Sequence, residues 1–435
     1  MIRFINHASI LLDEKILCDP WYSGSIFLNG WNLLHENRVD INTIVPQYIW
    51  ISHEHPDHFN PSDLLKIEED KRPTILFQKN DDGKVKNWCE GHGFKIKELE
   101  PYKRYNLNEG GDIMCGVIGG FDSYLHYRNK KYSILNLNDC QIYDKEELQA
   151  LSEKVGKIDY LFTQFGYANW AGNKGDDELP KKARELVFET LKNQVDILQP
   201  IFVVPFASFV YFSHEENFHW NKNSVKIKEV FNFLSKECGQ NVIVPTPGAK
   251  IVGMTKTGHH LPHRNGKPLE SLLQENVEAL EFWSNISKNI KPKHTGKKIP
   301  IYFLQIEFGI MRKHILRANS LRTFSLSPTV IYLTDLNKCV TFDIKKPELE
   351  VFDDISEFDV SMSSECFDQI MKHQYGRGTI TINGRFTADY KRFNKFLDQT
   401  NLYYYNNIGR YLGKNLKISD ITNQKNFYTR LLEDT

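Results

Sequence analysis

At 435 residues with 40% hydrophobic side chains, the chain can hold one large domain and a smaller one. The 55 Lys and Arg balance the 55 Asp and Glu, which argues against broad electrostatic binding to nucleic acid or acidic membranes. No run of about eighteen apolar residues is present, and Met1 to His7 lack a secretory pattern, so the expected compartment is the cytoplasm.

In chain order, Phe4 to Leu12 is an apolar strand interrupted at Asn6-His7. Ile16-Leu17-Cys18 begins a second strand that ends at Asp19-Pro20-Trp21. His7 is within reach of a metal site, but a hydrogen-bonded structural histidine is the expected role. Tyr48-Ile49-Trp50-Ile51 reads as a buried strand, and the charged cluster Ser52 to His58 follows where that strand gives way to a loop. His53, His55, Asp57 and His58 fit the pattern His-X-His-X-Asp-His. Neutral imidazoles suit zinc, iron and similar ions, and a carboxylate adds a harder oxygen ligand. These donors would serve two metals if the loop curls round them.

Pro61 to Ile67 reads as a helix capped by Asn60, and Thr74 to Phe77 as a strand. Cys89 and His92 alone make no metal site. Ile113 to Ile118 is strand-like and breaks at Gly119-Gly120-Phe121-Asp122. The next strand, Tyr132 to Leu137, closes on Asn138-Asp139-Cys140. Asp122 is a candidate ligand, and His126 a weaker one inside the following strand. Ile158 to Phe162 is a strand, followed by the loop Thr163 to Trp170, whose amides, glycine and aromatics suit a polar ligand. Gln164, Asn169 and Trp170 are its candidate substrate contacts.

Lys181 to Leu198 is an amphipathic helix preceded by Pro180. Ile201 to Pro205 is a strand, and after it His214 is the candidate to complete a metal site. A helix from Ser224 to Leu234 and a strand at Val242 to Val244 follow. This alternation implies an α/β layered domain over residues 1–290. The basic, breaker-rich stretch Lys291 to Pro300 reads as a linker. Residues 300–435 read as an accessory α+β domain without a metal-type cluster. Its expected strands are Ile301 to Leu304, Val330 to Leu333 and Thr379 to Ile382, with a helix at Ser364 to Lys372. Seven scattered cysteines fit reduced thiols rather than a disulfide framework.

The motif from Ser52 to His58 resembles the metal-binding signature of the metallo-β-lactamase superfamily. Further segments resemble the CMP-N-acetylneuraminate hydroxylase family, in that family's order. They are Asp19-Pro20-Trp21-Tyr22-Ser23-Gly24, Gly30 to Glu36, Asn136 to Cys140, Gln164-Phe165-Gly166, Leu198-Gln199-Pro200, Val204 to Ala207 and Thr246 to Ala249. The resemblance implies an αββα sandwich with a smaller C-terminal α+β domain. It implies that His53 and His55 hold one metal and Asp57 and His58 another. Asp139 would bridge the two, and Asp122 and His214 would complete the shells. Two departures stand out. The family's Rieske cluster needs a Cys-X-His with a Cys-X-X-His, and this sequence has no such pair. The His expected four residues before Asp122 is Ile118.

The expected cofactor is therefore two divalent ions, with iron favoured over zinc or manganese. The expected activity is an oxygenase acting on a polar small molecule such as a sugar nucleotide or amino sugar, drawing electrons from a separate ferredoxin or Rieske protein. The competing reading is a binuclear-metal hydrolase of a phosphodiester, lactone or amide, in which Asp57 orients a metal-activated water. A third is a binding protein with a degenerate site.

Overall fold

The computed structural model describes residues 1–36, 40–107, 111–119, 121–167, 169–251, 269–320, 326–422 and 427–432. Its framework follows from the apolar strands. One seven-stranded sheet comprises β1 (Ile2–Asn6), β2 (Ser9–Leu12), β3 (Ile16–Cys18), β5 (Tyr48–Ile51), β6 (Thr74–Gln78), β7 (Ile96–Leu99) and β16 (Lys250–Ile251). Its order is β16-β1-β2-β3-β5-β6-β7, and β3, β5, β6 and β7 run parallel. A second seven-stranded sheet comprises β8 (Arg104–Leu107), β9 (Gly111–Ile118), β10 (Asp122–Asn129), β11 (Ser133–Asn138), β12 (Tyr160–Gln164), β13 (Phe202–Phe206) and β15 (Asn241–Val242). There β11, β12, β13 and β15 are parallel. The remaining short strands, β4 (Trp31–Leu33) and β14 (Val210–Phe212), pair with each other.

Strand β5 is apolar throughout because both of its faces are covered. Trp50 enters the core between the sheets with Phe4, Leu12, Leu76 and Ile113. Ile49 and Ile51, on the opposite face, pack with Ile41, Leu64 and Phe77. Helices Lys145–Val155 and Glu178–Leu198 cover the second sheet through Leu148, Ala183, Val187 and Leu191. The layers are therefore helix, sheet, sheet, helix. The cap at Asn60 is present, its side chain accepting the Asp63 N–H at 3.1 Å.

Beyond the stretch 291–300 lies a five-stranded sheet, β19-β18-β17-β20-β21, formed by β17 (Thr329–Leu333), β18 (Lys338–Phe342), β19 (Glu350–Phe352), β20 (Val360–Met362) and β21 (Phe386–Ala388). Two expected strands are helices instead. Ile301 to Leu304 opens the helix Ile301–Ala318, which buries Leu304, Phe308, Met311 and Ile315 at helical spacing. Thr379 to Ile382 lies inside the helix Gly376–Asn383, where burial on nearly every side overrides the β-propensity of its Thr and Ile. This region shares one core with Trp21, Phe27, Trp31, Trp170, Phe212 and Trp220 from earlier in the chain. The contact is close: a Cβ on Gly30 would lie 2.4 Å from the Asn383 Cβ. The stretch before it is also tied down, the Lys293 N–H donating to the Ser213 carbonyl at 2.8 Å. No helix among the described residues is long and apolar enough to cross a membrane.

Candidate metal centre

Parallel strands of both sheets deliver their C-terminal ends to one place, as open α/β sheets commonly do at ligand sites. Asp19 follows β3, His53 follows β5, and Asn138 and Asp139 stand at the end of β11. The loop 52–58 curls back on itself, the His58 N–H donating to the His55 carbonyl at 3.0 Å. Two three-donor clusters result. Donor atoms of His53, His55 and Asp139 lie within 4.8 Å of one another, and so do those of His7, Asp57 and His58. His58 joins the two clusters, its Nε2 standing 3.3 Å from Asp57 Oδ2 and 3.3 Å from Asp139 Oδ2.

The ligand rings are held from behind. Asp19 is buried and receives the Ser52 N–H at 2.8 Å and the Asn138 amide at 2.6 Å. Its Oδ2 lies 3.1 Å from His58 Nδ1, which turns His58 Nε2 towards the two carboxylates. The Ser52 hydroxyl sits 3.0 Å from His53 Nδ1 and leaves Nε2 of that ring facing inward. Three non-glycine residues at the site, His7, Asp19 and Asn138, hold left-handed backbone at φ 44°, 41° and 46°. Such strain persists where the surrounding structure over-determines it, as at functional sites.

The electrostatics suit a cation. Burial, reinforced by the neighbouring histidines, pushes His53 well below the usual imidazole range, and burial pushes His55 down too. Both rings are therefore neutral and able to ligate. Burial opposes charge on Asp57, but His58 and His7 outweigh it and hold its carboxyl well below the ordinary value. Burial likewise opposes charge on His58, yet Asp57, Asp139 and Asp19 raise its pKa well above normal. Burial and the Asp139 charge push Asp122 up to about 8. Asp57 Oδ1, Asp139 Oδ1 and His58 Nε2 are buried without a hydrogen-bond partner. Buried polar atoms left in this state call for an ion or water. The donor set fits bound metal.

Asp122 begins β10 opposite Ile118, after Gly119 at φ 61°, and its Oδ1 lies 3.7 Å from His53 Nε2. Gly120 lies outside the described residues. Gln164 and Asn169 line a cavity of about 540 Å³ together with His55, Asp57, Asp122, Asp139 and Ile118. A larger, mostly apolar cavity of about 920 Å³ shares Trp31 and Gln164 with it and contains none of the clustered donors.

Two expectations are corrected. Trp170 does not face the cavity: it is 1% exposed, and its ring lies 5.0 Å from Phe386 and 4.9 Å from Phe393 in the C-terminal core. His214 joins neither cluster. Pairing of β14 with β4 leads the following loop towards the C-terminal sheet, where His214 faces Glu216 and Arg385. His7 replaces it, the His7 Nε2 standing 3.4 Å from Asp57 Oδ2. The polar pair Asn6-His7 inside an apolar run was the available signal. His126 is structural: Arg104 donates to its Nδ1 at 2.9 Å and its Nε2 donates to the Ser133 hydroxyl at 2.9 Å.

Two facing mixed sheets lie between helical layers, with a His-X-His-X-Asp-His loop after a parallel strand. The chain has the metallo-β-lactamase fold. No family model matches it. It is 26% identical over 271 residues to the cytidine monophosphate-N-acetylneuraminic acid hydroxylase of Cricetulus griseus, covering 58% of this chain and 47% of that one. The Mus musculus hydroxylase gives the same identity over 58% of this chain and 46% of its own. The chain thus spans about half the length of the curated relatives it matches. Among solved structures, it is similar to CmlA, a diiron β-hydroxylase from Streptomyces venezuelae (TM-score 0.40, 14% identity, 57% of this chain and 52% of that). It is also similar to an isothiocyanate hydrolase from Delia radicum gut bacteria (TM-score 0.42, 15% identity, 59% of this chain and 100% of that).

Proposed function

We propose that this protein is an iron-dependent oxygenase of the metallo-β-lactamase fold acting on a polar metabolite such as a sugar nucleotide or amino sugar. The observation that carries the reading is the 271-residue similarity to the hydroxylases, combined with paired clusters that contain His53, His55, Asp57, His58 and Asp139. In this reading His53, His55 and Asp139 hold one ion, and His7, Asp57 and His58 the other. Asp122 supplies an oxygen donor beside them, where Ile118 cannot ligate. Three carboxylates in the site favour a harder ion such as iron or manganese over an all-imidazole zinc site. Bound iron would supply the redox chemistry that activates dioxygen.

The chain's own residues do the rest. Asp19 fixes the His58 ring, and Ser52 fixes His53. Gln164 and Asn169 offer amides to orient substrate hydroxyl or amide groups. Phe27, Trp31 and Ile382 line the same cavity and exclude water from part of it. Electrons come from a separate donor such as a ferredoxin or Rieske protein.

The test is metal analysis of full-length protein purified without oxygen, followed by oxygen-uptake measurements with a reductant and candidate sugars. About two irons per chain and substrate-dependent oxygen uptake support the reading. Two zincs, no uptake and turnover of a phosphodiester, lactone or amide would decide for a hydrolase, with Asp57 orienting the water.

A further inference from the structure

The lining of the metal cavity is strongly acidic, with Asp57, Asp122, Asp139, Asp144 and Glu147 all present. Against them stands one side chain of permanent positive charge among the described residues, Arg430. It comes from the short helix Phe427–Leu432, far along the chain from every metal-type donor. That helix is anchored in the protein: Leu431 is buried, and the Tyr428 hydroxyl donates to Asn169 Oδ1 at 2.8 Å. The Arg430 guanidinium lies over the Tyr143 ring, 4.9 Å from its centroid. Stacking of this kind restrains the planar group while leaving its N–H fork available for a bidentate anion. Among the described residues no carboxylate forms an ion pair with it. Asp144, its neighbour in the cavity, instead accepts the N–H groups of Glu146 and Glu147 at 2.8 and 3.1 Å.

Between Arg430 and the metal clusters runs a polar ledge. Tyr143 donates its hydroxyl to Gln141 Oε1, and Gln141 donates to Gln164 Oε1 at 2.9 Å. Once metal offsets Asp57, Asp122 and Asp139, the guanidinium is left as a cation in the cavity with no ion-pair partner among the described residues. A neutral substrate would leave it so; an anionic one would not.

We propose that Arg430 binds an anionic group, carboxylate or phosphate, on the substrate and so restricts this site to anionic metabolites. The proposal rests on reading the cavity as the substrate site, and it is independent of whether the chemistry is oxygenation or hydrolysis.

The test is calorimetric titration of the metal-loaded full chain with glucuronate, glucose 6-phosphate and neutral N-acetylglucosamine. The wild type, Arg430→Gln and Arg430→Lys would be compared, with metal content measured for each. The expected result is that one anion at least binds the wild type more tightly than the neutral sugar does. Arg430→Gln should weaken that anion roughly tenfold to hundredfold, the loss of a charge-assisted contact. Arg430→Lys should recover part of the loss, and metal content should stay constant. Which anion responds tells carboxylate from phosphate recognition. Unchanged anion affinity in Arg430→Gln would overturn the proposal, because the anion would then be held by metal alone. So would equal binding of neutral and anionic sugars, failure of both anions to bind at millimolar concentration, or loss of metal from Arg430→Gln. Absence of oxygen uptake would sink the oxygenase reading and leave this result standing.

Discussion

His7 stands at the tip of the β1–β2 hairpin with a left-handed backbone, its Nε2 aimed at Asp57. If it holds metal, His7→Ala should lower metal content by about one ion per chain while the fold survives. His214→Ala should leave metal content unchanged, because that ring faces Glu216 and Arg385. Metal analysis of both variants separates these outcomes, and equal losses would remove His7 from the site. His126 makes a different prediction. Burial, reinforced by Arg104 and Arg128 and opposed by Asp112, lowers its pKa from 6.5 to about 3. The folded state therefore keeps this ring neutral over a range in which the unfolded chain protonates it. Its contribution is intact above pH 6.5 and is lost as pH falls towards about 3. The slope is at most about 1.4 kcal/mol per pH unit. His126→Gln cannot titrate, and denaturation midpoints across this pH range should show a flatter acid limb for it than for the wild type.

At the scale of elements, the helix Gly376–Asn383 depends on a close crossing with the preceding helix Ser364–Lys372. A Cβ on Gly376 would sit 2.1 Å from the Gln369 carbonyl oxygen and 2.7 Å from the Ile370 Cα. Gly376→Ala should cost about 1–3 kcal/mol through overpacking. Gly378 has open space around its Cβ position, so Gly378→Ala should be neutral or stabilise by up to about 1 kcal/mol. Urea denaturation of the pair tests this, and similar midpoints would mean that the crossing can relax. The same region shows why two expected strands are helices. Ile301-Tyr302-Phe303-Leu304 is too short an apolar run to carry a period, and only Leu304 of it is fully buried. The residues that settle its conformation, Phe308, Met311 and Ile315, lie further along. In Thr379 to Ile382, alternation of Thr and Ile imitates a half-buried strand, whereas all four side chains are buried.

At the scale of the whole molecule, the region after residue 300 shares its core with Trp21, Trp31, Trp170 and Trp220. It also supplies a buried arginine, Arg385, that bonds Glu216 at 2.8 Å and Glu365 at 2.7 Å. Truncation after residue 299 would expose those aromatic surfaces and leave Glu216 without its cation. The shortened chain is expected to aggregate or lose cooperative unfolding, and its metal with it. A truncated protein that is monomeric, unfolds cooperatively and keeps full metal content would show the opposite, namely that the first 299 residues stand alone.

The loop from His53 to His58 and the strand before it were legible because the information is local. A continuous apolar run, a strand end and closely spaced donors are properties of ten consecutive residues. Asp139 was legible for a related reason, since it terminates a recognisable strand. Asp19 and Arg430 were not, because nothing near them in sequence distinguishes a carboxylate behind a candidate ligand or a cavity cation from ordinary polar residues, and His7 was marked only by the polar interruption Asn6-His7 in an apolar run. His58 and Asp19 are 39 positions apart, and Asn169 and Tyr428 are 259 apart. Their juxtaposition depends on which strand ends and helices the packed sheets bring together. Donor chemistry was therefore set by the sequence alone, while the membership of the site was decided by tertiary packing.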